Sequence, residues 1–422
     1  MYKLFLAAVS MAAIAAPAQG DTILAGNMIA DASEGAMGPA TIVTDGDRIV
    51  SVTAGLQTPD PANGDVHDLS DKTVMAGLID MHVHLSGDPS GEFWRSATTP
   101  FEWNTILGVK NAATTVKAGF TTVRDVGSRG QHSVHQLRRA VEEGYVVGPR
   151  IVSSGPSIAI IGGHGDTNGF LPEVNELLDD GYDCTGPVQC AAKVRLASQN
   201  GADLIKITAT GGVLSQQGRG LEAHFTDAEM ESIVDTAASL GMKVAAHAHG
   251  ARGIEAAARA GASTIEHATY ADTEALRAMK ASGTYFVPTL EAFEGVRQGM
   301  EEGRYTEVVN AKIRQVMSQV GKPIREAIDM GVPIAFGTDA GVFPHGQNAT
   351  EFRLMVGAGM TPQQTLESAT LVAAEALGMG NIIGKVAEGY HADIIAFNGD
   401  PYADVTVLES VDWVMARGAV VK

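Results

Sequence analysis

Two histidines stand one residue apart in His82-Val83-His84, at the end of an apolar run that begins at Leu78. If that run is a β-strand, alternate side chains share a face, so both imidazoles project to the same side and can share one metal ion. Other apolar runs close on further polar groups: Lys206 within Leu204-Ile205-Lys206-Ile207-Thr208, the phrase His247-Ala248-His249, the pair Glu266-His267, and Asp339 in Thr338-Asp339-Ala340. Any single histidine here has an ordinary structural explanation, and Lys206 alone reads as a lysine snorkelling at a strand end. The set does not. Buried polar groups without partners cost roughly 1–3 kcal/mol each, so five strand ends supplying nitrogens and carboxylates at one rim need something central to satisfy them. Four histidines, an aspartate and a lysine exceed one tetrahedral zinc site and suit two zinc ions. An ammonium beside divalent cations is repelled, which favours the neutral amine of Lys206. That amine can add carbon dioxide and become a carbamate, an anion able to bridge both metals.

The elements that must hold these groups are legible in the hydrophobic pattern. From Asp21 to about Met75 the chain shows short β-type runs broken by Gly, Asp and Pro, and the tail repeats the style in Ala392–Phe397, Val411–Met415 and Gly418–Val421. Residues 21–76 and 383–422 are therefore expected to form one small β-sandwich domain built from both termini. Between them, residues 77–382 alternate apolar strand, polar loop and amphipathic helix. The candidate strands are Leu78–His84, Thr121–Asp125, Arg150–Ser153, Leu204–Ala209, Lys243–His247, Thr264–His267, Tyr285–Pro288 and Ile334–Thr338. Thr226 with Glu229, and Thr361 with Pro362 and Gln364, mark helix starts ahead of Gly241 and Gly378. The expected fold class is α/β, a (β/α)8 TIM-type barrel, in which chemistry gathers at the C-terminal ends of the strands.

Composition narrows the partners. With 30 Lys+Arg against 49 Asp+Glu the net charge is −19, and such a surface repels phosphate backbones, so no nucleic-acid partner is expected. Residues 1–20 read as a cleavable secretory signal. Lys3 is the only charge before Asp21, Leu4 to Ala16 is apolar, and Ala16-Pro17-Ala18 offers small residues for cleavage. A membrane span needs about 20 apolar residues, so the mature chain is expected to be secreted or periplasmic, with no membrane association. The two cysteines, Cys184 and Cys190, lie in a polar segment that reads as a loop and could close a local disulfide in such a compartment.

Together Gly77-Leu78-Ile79-Asp80-Met81-His82-Val83-His84, Lys206, His247, His267 and Thr338-Asp339-Ala340-Gly341 resemble the amidohydrolase superfamily. The spacing and His247-Ala248-His249-Gly250 resemble its prolidase-like, imidazolonepropionase-related branch, which includes Xaa-Pro dipeptidases and hydrolases of N-acyl amino acids and ochratoxin-type amides. The resemblance spans essentially the whole chain after the signal. It implies that His82, His84 and Asp339 bind one metal, that His247 and His267 bind the other, and that carboxylated Lys206 bridges them. Spacing alone leaves His247 and His249 equivalent; the family pattern selects His247.

The expected activity is a metal-dependent hydrolysis of the amide bond in dipeptides or N-acyl amino acids. A hydroxide shared by two Zn2+ ions would attack, and Asp339 would carry the proton to the leaving amine. The alternative is a cyclic amidohydrolase or lactonase using the same binuclear site. A binding protein that kept the barrel and lost catalysis is disfavoured by the intact ligand set. His164, in the Gly-rich loop Gly162-Gly163-His164-Gly165, is a candidate donor to the carbonyl oxygen or to a substrate carboxylate. His249, Ser86, Arg219 and His345 are expected pocket residues, Arg219 as a partner for a substrate carboxylate. Trp94 and Trp103 fall in an expected loop over the barrel mouth, as an apolar wall or as a satellite core. The partner is then a small molecule, with a homo-oligomer left open.

Overall fold

The computed structural model describes residues 20–60, 64–90, 92–130 and 132–422. The signal expected at 1–20 lies outside the described residues except for Gly20. In chain order the strands are β1 (Thr22–Ile29), β2 (Ala40–Asp45), β3 (Arg48–Ala54), β4 (Val66–Ala76), β5 (Leu78–Val83), β6 (Phe120–Asp125), β7 (Arg150–Ser153), β8 (Ala159–Ile160), β9 (Asp183–Cys184), β10 (Leu204–Thr208), β11 (Lys243–Ala248), β12 (Thr264–His267), β13 (Tyr285–Val287), β14 (Ile394–Phe397), β15 (Val411–Ala416) and β16 (Ala419–Val420). The chain is α/β with mixed sheets.

The central strands are parallel, in two groups, β5-β6-β7 and β10-β11-β12-β13. They read as continuous apolar runs because helices cover them from outside, as parallel strands require. Bridges extend the parallel order between the groups, Ile158 with Ile207, Phe286 with Ile334, and Val83 with Ala340. The expected strand Ile334–Thr338 is not a regular strand. Its backbone nevertheless bonds on both sides: Ala335 N–H donates to Phe286 O, and Met81 N–H donates to Phe336 O, both at 2.9 Å. The buried Asp80 carboxylate interrupts the regular ladder by taking the Thr338 N–H (3.1 Å) and hydroxyl (2.7 Å) for itself.

The terminal strands depart from the expected sandwich. They form one seven-stranded sheet, β16-β15-β14-β4-β1-β2-β3, rather than two facing sheets. Period-2 alternation explains how one sheet suffices. In β14, Ile394 and Ala396 pack with Ile23, Met28 and Ile42 on one face, while Ile395 and Phe397 on the other join the core shared with Phe120 and Val116. The second face is thus covered by the α/β body and needs no second sheet.

Both expected capping boxes are present, at Thr226/Glu229 before the helix Asp227–Ser239 and at Thr361/Gln364 before Pro362–Glu367. Cys184 and Cys190 form a disulfide, with Cα atoms 5.1 Å apart. The segment is not simply a loop: Cys184 ends β9 and Cys190 lies in the helix Pro187–Gln199. Gly186 at φ 78° and Pro187 at the first helical position start that helix early, proline losing nothing where its N–H would be unpaired. The tryptophan segment is also helical, with a short 3-10 turn Phe93–Ala97 followed by the helix Phe101–Lys117.

Candidate metal centre and active site

At the C-terminal ends of the parallel strands, two trios of donor atoms converge, each within 4.8 Å of one another: His82, His84 and Asp339, and His247, His249 and His267. Asp339 Oδ1 lies 3.4 Å from His82 Nε2 and 3.1 Å from His84 Nε2. Alternation sets the aim: β10 and β11 are in register with Lys206 beside Ala245 and Thr208 beside His247, so Lys206 and His247 face the same interior. Four of the five non-glycine residues with positive φ among the described residues sit here, His267 (72°), Ala268 (43°), Thr289 (52°) and Asp339 (62°). Such backbone costs of order 1–3 kcal/mol per residue and persists only where the surroundings over-determine it.

Hydrogen bonds on the far ring nitrogens fix which nitrogen each histidine offers. His84 Nδ1 donates to Gly127 O at 2.7 Å, and a carbonyl can only accept, so Nε2 carries the free lone pair. A Cβ on Gly127 would approach His84 Cε1 to 2.9 Å, so glycine is needed there. His82 Nδ1 donates to Glu266 Oε2 at 2.8 Å. His267 Nδ1 meets Thr289 Oγ1 at 2.6 Å, and that hydroxyl spends its own proton on Pro288 O at 2.8 Å. His247 is reversed. Its Nε2 donates to Gly211 O at 3.3 Å, leaving Nδ1 as the available donor atom. Ligating histidines are oriented by partners of this kind.

The electrostatics suit a cation. Burial pushes His82, His247 and His267 well below the ordinary imidazole range and His249 to about 3, so these rings are neutral, as ligation requires. His84 shifts upward: burial opposes its charge, but the Asp339 carboxylate outweighs it. Burial also lowers Lys206 to about 8, against the pull of Glu266, Asp339 and Asp125. Asp339 Oδ1 is buried without a well-directed hydrogen bond. An orphaned carboxylate oxygen facing two imidazole lone pairs is a poor arrangement for three isolated groups and a good one for three metal ligands. The residues fit a binuclear metal site.

The trios open into a cavity of about 510 Å³. His164, Ser86 and His249 line it, as expected. His164 Nδ1 lies 2.6 Å from Ser215 Oγ, and its ring centroid is 4.3 Å from that of His247. Two expected wall residues are elsewhere. Arg219 is exposed and not among the cavity-lining residues, because its loop turns it outward. His345 sits behind the wall, bonding Thr115 Oγ1 through Nδ1 (2.9 Å) and donating from Nε2 to His84 O (3.1 Å), so it supports the backbone of His84. Phe93, Phe101, Trp103, Leu107, Phe293 and Val296 supply an apolar wall, whereas Trp94 is not part of it.

Several supporting contacts escaped the sequence reading. The Glu266 carboxylate is held by Arg124 (2.8 Å) and the Thr264 hydroxyl as well as by His82. Asp80 ties β5 to Thr338 and to Asn348 Nδ2 at 2.8 Å. Lys312, buried, donates to Gly212 O (2.9 Å), Ser215 O (2.6 Å) and Gln217 O (3.3 Å), and so shapes the loop that presents Ser215 to His164. The only signal available for Asp80 was a charge within an otherwise apolar strand; the others have partners far away in sequence.

A binuclear-type donor set at the strand ends of an α/β scaffold defines a class of metal-dependent hydrolase. The amidohydrolase family model matches residues 73–421, and the chain belongs to that family, whose reaction here is hydrolysis of an amide C–N bond. It is 33% identical to the ochratoxinase of Aspergillus niger over 359 residues, covering 80% of this chain and 72% of that protein. A crystal structure described as a Xaa-Pro dipeptidase with bound methionine in the active site superposes with a TM-score of 0.88 at 39% identity, covering 95% of this chain and 99% of the other. The imidazolonepropionase of Acinetobacter baumannii is 26% identical, covering 85% of this chain and 87% of that protein.

Proposed function

We propose that the chain is a secreted, binuclear zinc hydrolase that cleaves dipeptides or N-acyl amino acids, ochratoxin-like amides included. The observation that carries the reading is the pair of converging donor trios with Lys206 facing the same interior. His82, His84 and Asp339 would hold one ion, His247 and His267 the other, and Lys206, carboxylated through its neutral amine, would bridge them. When bound, two such ions acidify a shared water and polarise the scissile carbonyl. Asp339 takes the proton from the attacking water and delivers it to the nitrogen of the leaving amine. His164, held by Ser215, orients the carbonyl oxygen, and the aromatic wall excludes water around an apolar side chain. His249 lies close enough to His247 and His267 to be a further ligand, a role spacing had left open.

The scaffold reading is a (β/α)8 barrel over 77–382, supported by the bridges that join its strand groups, with 21–76 and 383–422 as a β-domain. Residues 1–20 remain a proposed secretory signal, and the Cys184–Cys190 disulfide suits an oxidising compartment. No helix among the described residues is long and apolar enough to cross a membrane.

A panel of dipeptides, N-acyl amino acids, an ochratoxin-type amide and lactones, run beside metal analysis, tests the proposal. About two zinc ions per chain with turnover of the linear amides is the expected result. Turnover confined to lactones or cyclic amides would favour the ring-opening alternative suggested by the imidazolonepropionase likeness. A chain without metal and without activity on adding zinc would overturn both.

A further inference from the structure

We infer that Arg129, at the mouth of the metal cavity, receives the free carboxylate of the substrate; the inference rests on the amide-hydrolase reading above. The cations lining the cavity are Arg95, Arg129 and Lys206. Arg95 is committed to Glu92 (2.7 Å) and Asp88 (3.2 Å), and Lys206 belongs to the donor cluster at the floor. Arg129 is different: its guanidinium has no ion pair or hydrogen bond among the described residues, and its side chain is open to solvent. The protein packed around it still disfavours its charge, with Asp180 the one acid that favours it through space. A cation that lines the cavity without a protein partner of its own is available to an incoming anion.

Its place in the chain suits the task. Arg129 follows β6, two residues beyond Gly127, whose carbonyl fixes His84. At about 3.3–3.6 Å per residue, its backbone lies within roughly 7 Å of Gly127, and its side chain lines the cavity. An anionic substrate meets a chain of net charge −19 and a cavity wall carrying Asp88, Glu92, Asp166 and Asp180. A guanidinium offers the counter-charge and a planar fork that matches a carboxylate with two parallel N–H donors. The earlier expectation gave this role to Arg219, which points away from the cavity.

The test compares N-acetyl-L-phenylalanine with N-acetyl-L-phenylalaninamide, following acetate release, in the wild type, Arg129→Met and Arg129→Lys. The wild type is expected to favour the free acid by about 10–100-fold in kcat/KM, the range of one charge-assisted contact. Arg129→Met should bring the acid-to-amide ratio close to one, with Arg129→Lys in between. A ratio unchanged in Arg129→Met, or equal losses on both substrates, would overturn the inference. Titration calorimetry with L-phenylalanine and L-phenylalaninamide gives an independent reading: Arg129→Met should weaken the acid about tenfold or more and the amide far less. If the wild type releases acetate from neither substrate and also turns over none of the other linear amides, the hydrolase reading fails; in either case the calorimetry decides the role of Arg129.

Discussion

The floor and the mouth of the cavity are built on opposite principles. At the floor the groups that orient the donors are engaged, Asp80 with Thr338 and Asn348 and Glu266 with His82, Arg124 and Thr264, and each imidazole of the two trios has a partner on its far nitrogen, while Asp339 Oδ1 is left facing His82 and His84. At the mouth, Phe101 is 44% and Trp103 53% exposed, and Arg129 has no ion pair among the described residues. In a low-dielectric floor an unpaired group is expensive, so geometry there is held by a network in which each member depends on the others. Solvent relaxes that demand at the mouth, where side chains can be exchanged without unravelling the network. On the proposed reading, reaction chemistry and substrate choice are thereby separated in space.

The sharpest way to break this contrast is Lys206→Ala. Activity should fall at least about 1,000-fold, the order expected when metal-ion chemistry is lost, with partial rescue by acetate or propionate. Full turnover in the variant would remove the bridging role. Glu266→Gln comes next. Weakening a buried partner of His82 and Arg124 should cost about 3–5 kcal/mol of stability and about 10–100-fold in metal affinity, measured by denaturant melts and metal titration; a fully loaded, equally stable variant would show that the network is ornamental.

Changes at the mouth should be milder. Trp103→Ala is expected to raise KM about three- to tenfold for substrates with a large apolar side chain, corresponding to about 0.7–1.4 kcal/mol of lost burial, and to leave metal content at the wild-type level. Loss of metal instead would join mouth and floor into one unit.

The smallest effect on turnover is expected in the wall helix Leu290–Glu301, which carries Phe293 and whose change is read in stability. Burial lifts Glu291 to about 7. The folded state therefore binds an extra proton that the unfolded state, near 4.5, releases. That stabilisation is present below about 4.5 and is lost as pH rises towards 7, amounting to roughly 1–3 kcal/mol. Glu291→Gln should abolish the slope, so that its melting temperature relative to wild type is higher at pH 8 than at pH 5. A pH-independent difference would show that Glu291 does not titrate in this window.

Much of the floor was legible in the sequence because its donors sit at strand ends, where one charged or imidazole residue interrupts an apolar run. His82, His84, Lys206, His247, His267 and Asp339 could be read in that way, and the structure brings all six to one cavity. The residues that orient them could not. Glu266 stands 184 positions from His82, and nothing local to either residue announces the pairing. Lys312 looks like any solvated helix lysine until the loop from Gly212 to Gln217 closes over it. Arg219 and His345 failed for the converse reason: loop residues near a motif in sequence need not face the cavity.

Residue types and alternation, which are local properties, placed the candidate donors at strand ends and set the parallel α/β alternation and the helix caps at Thr226 and Thr361. Tertiary packing decided which nitrogen each histidine offers, that His249 joins His247 and His267, and that the terminal strands make one sheet with the α/β body as its second layer. Those outcomes depend on hydrogen-bond partners and buried faces supplied by distant segments, which no local pattern encodes.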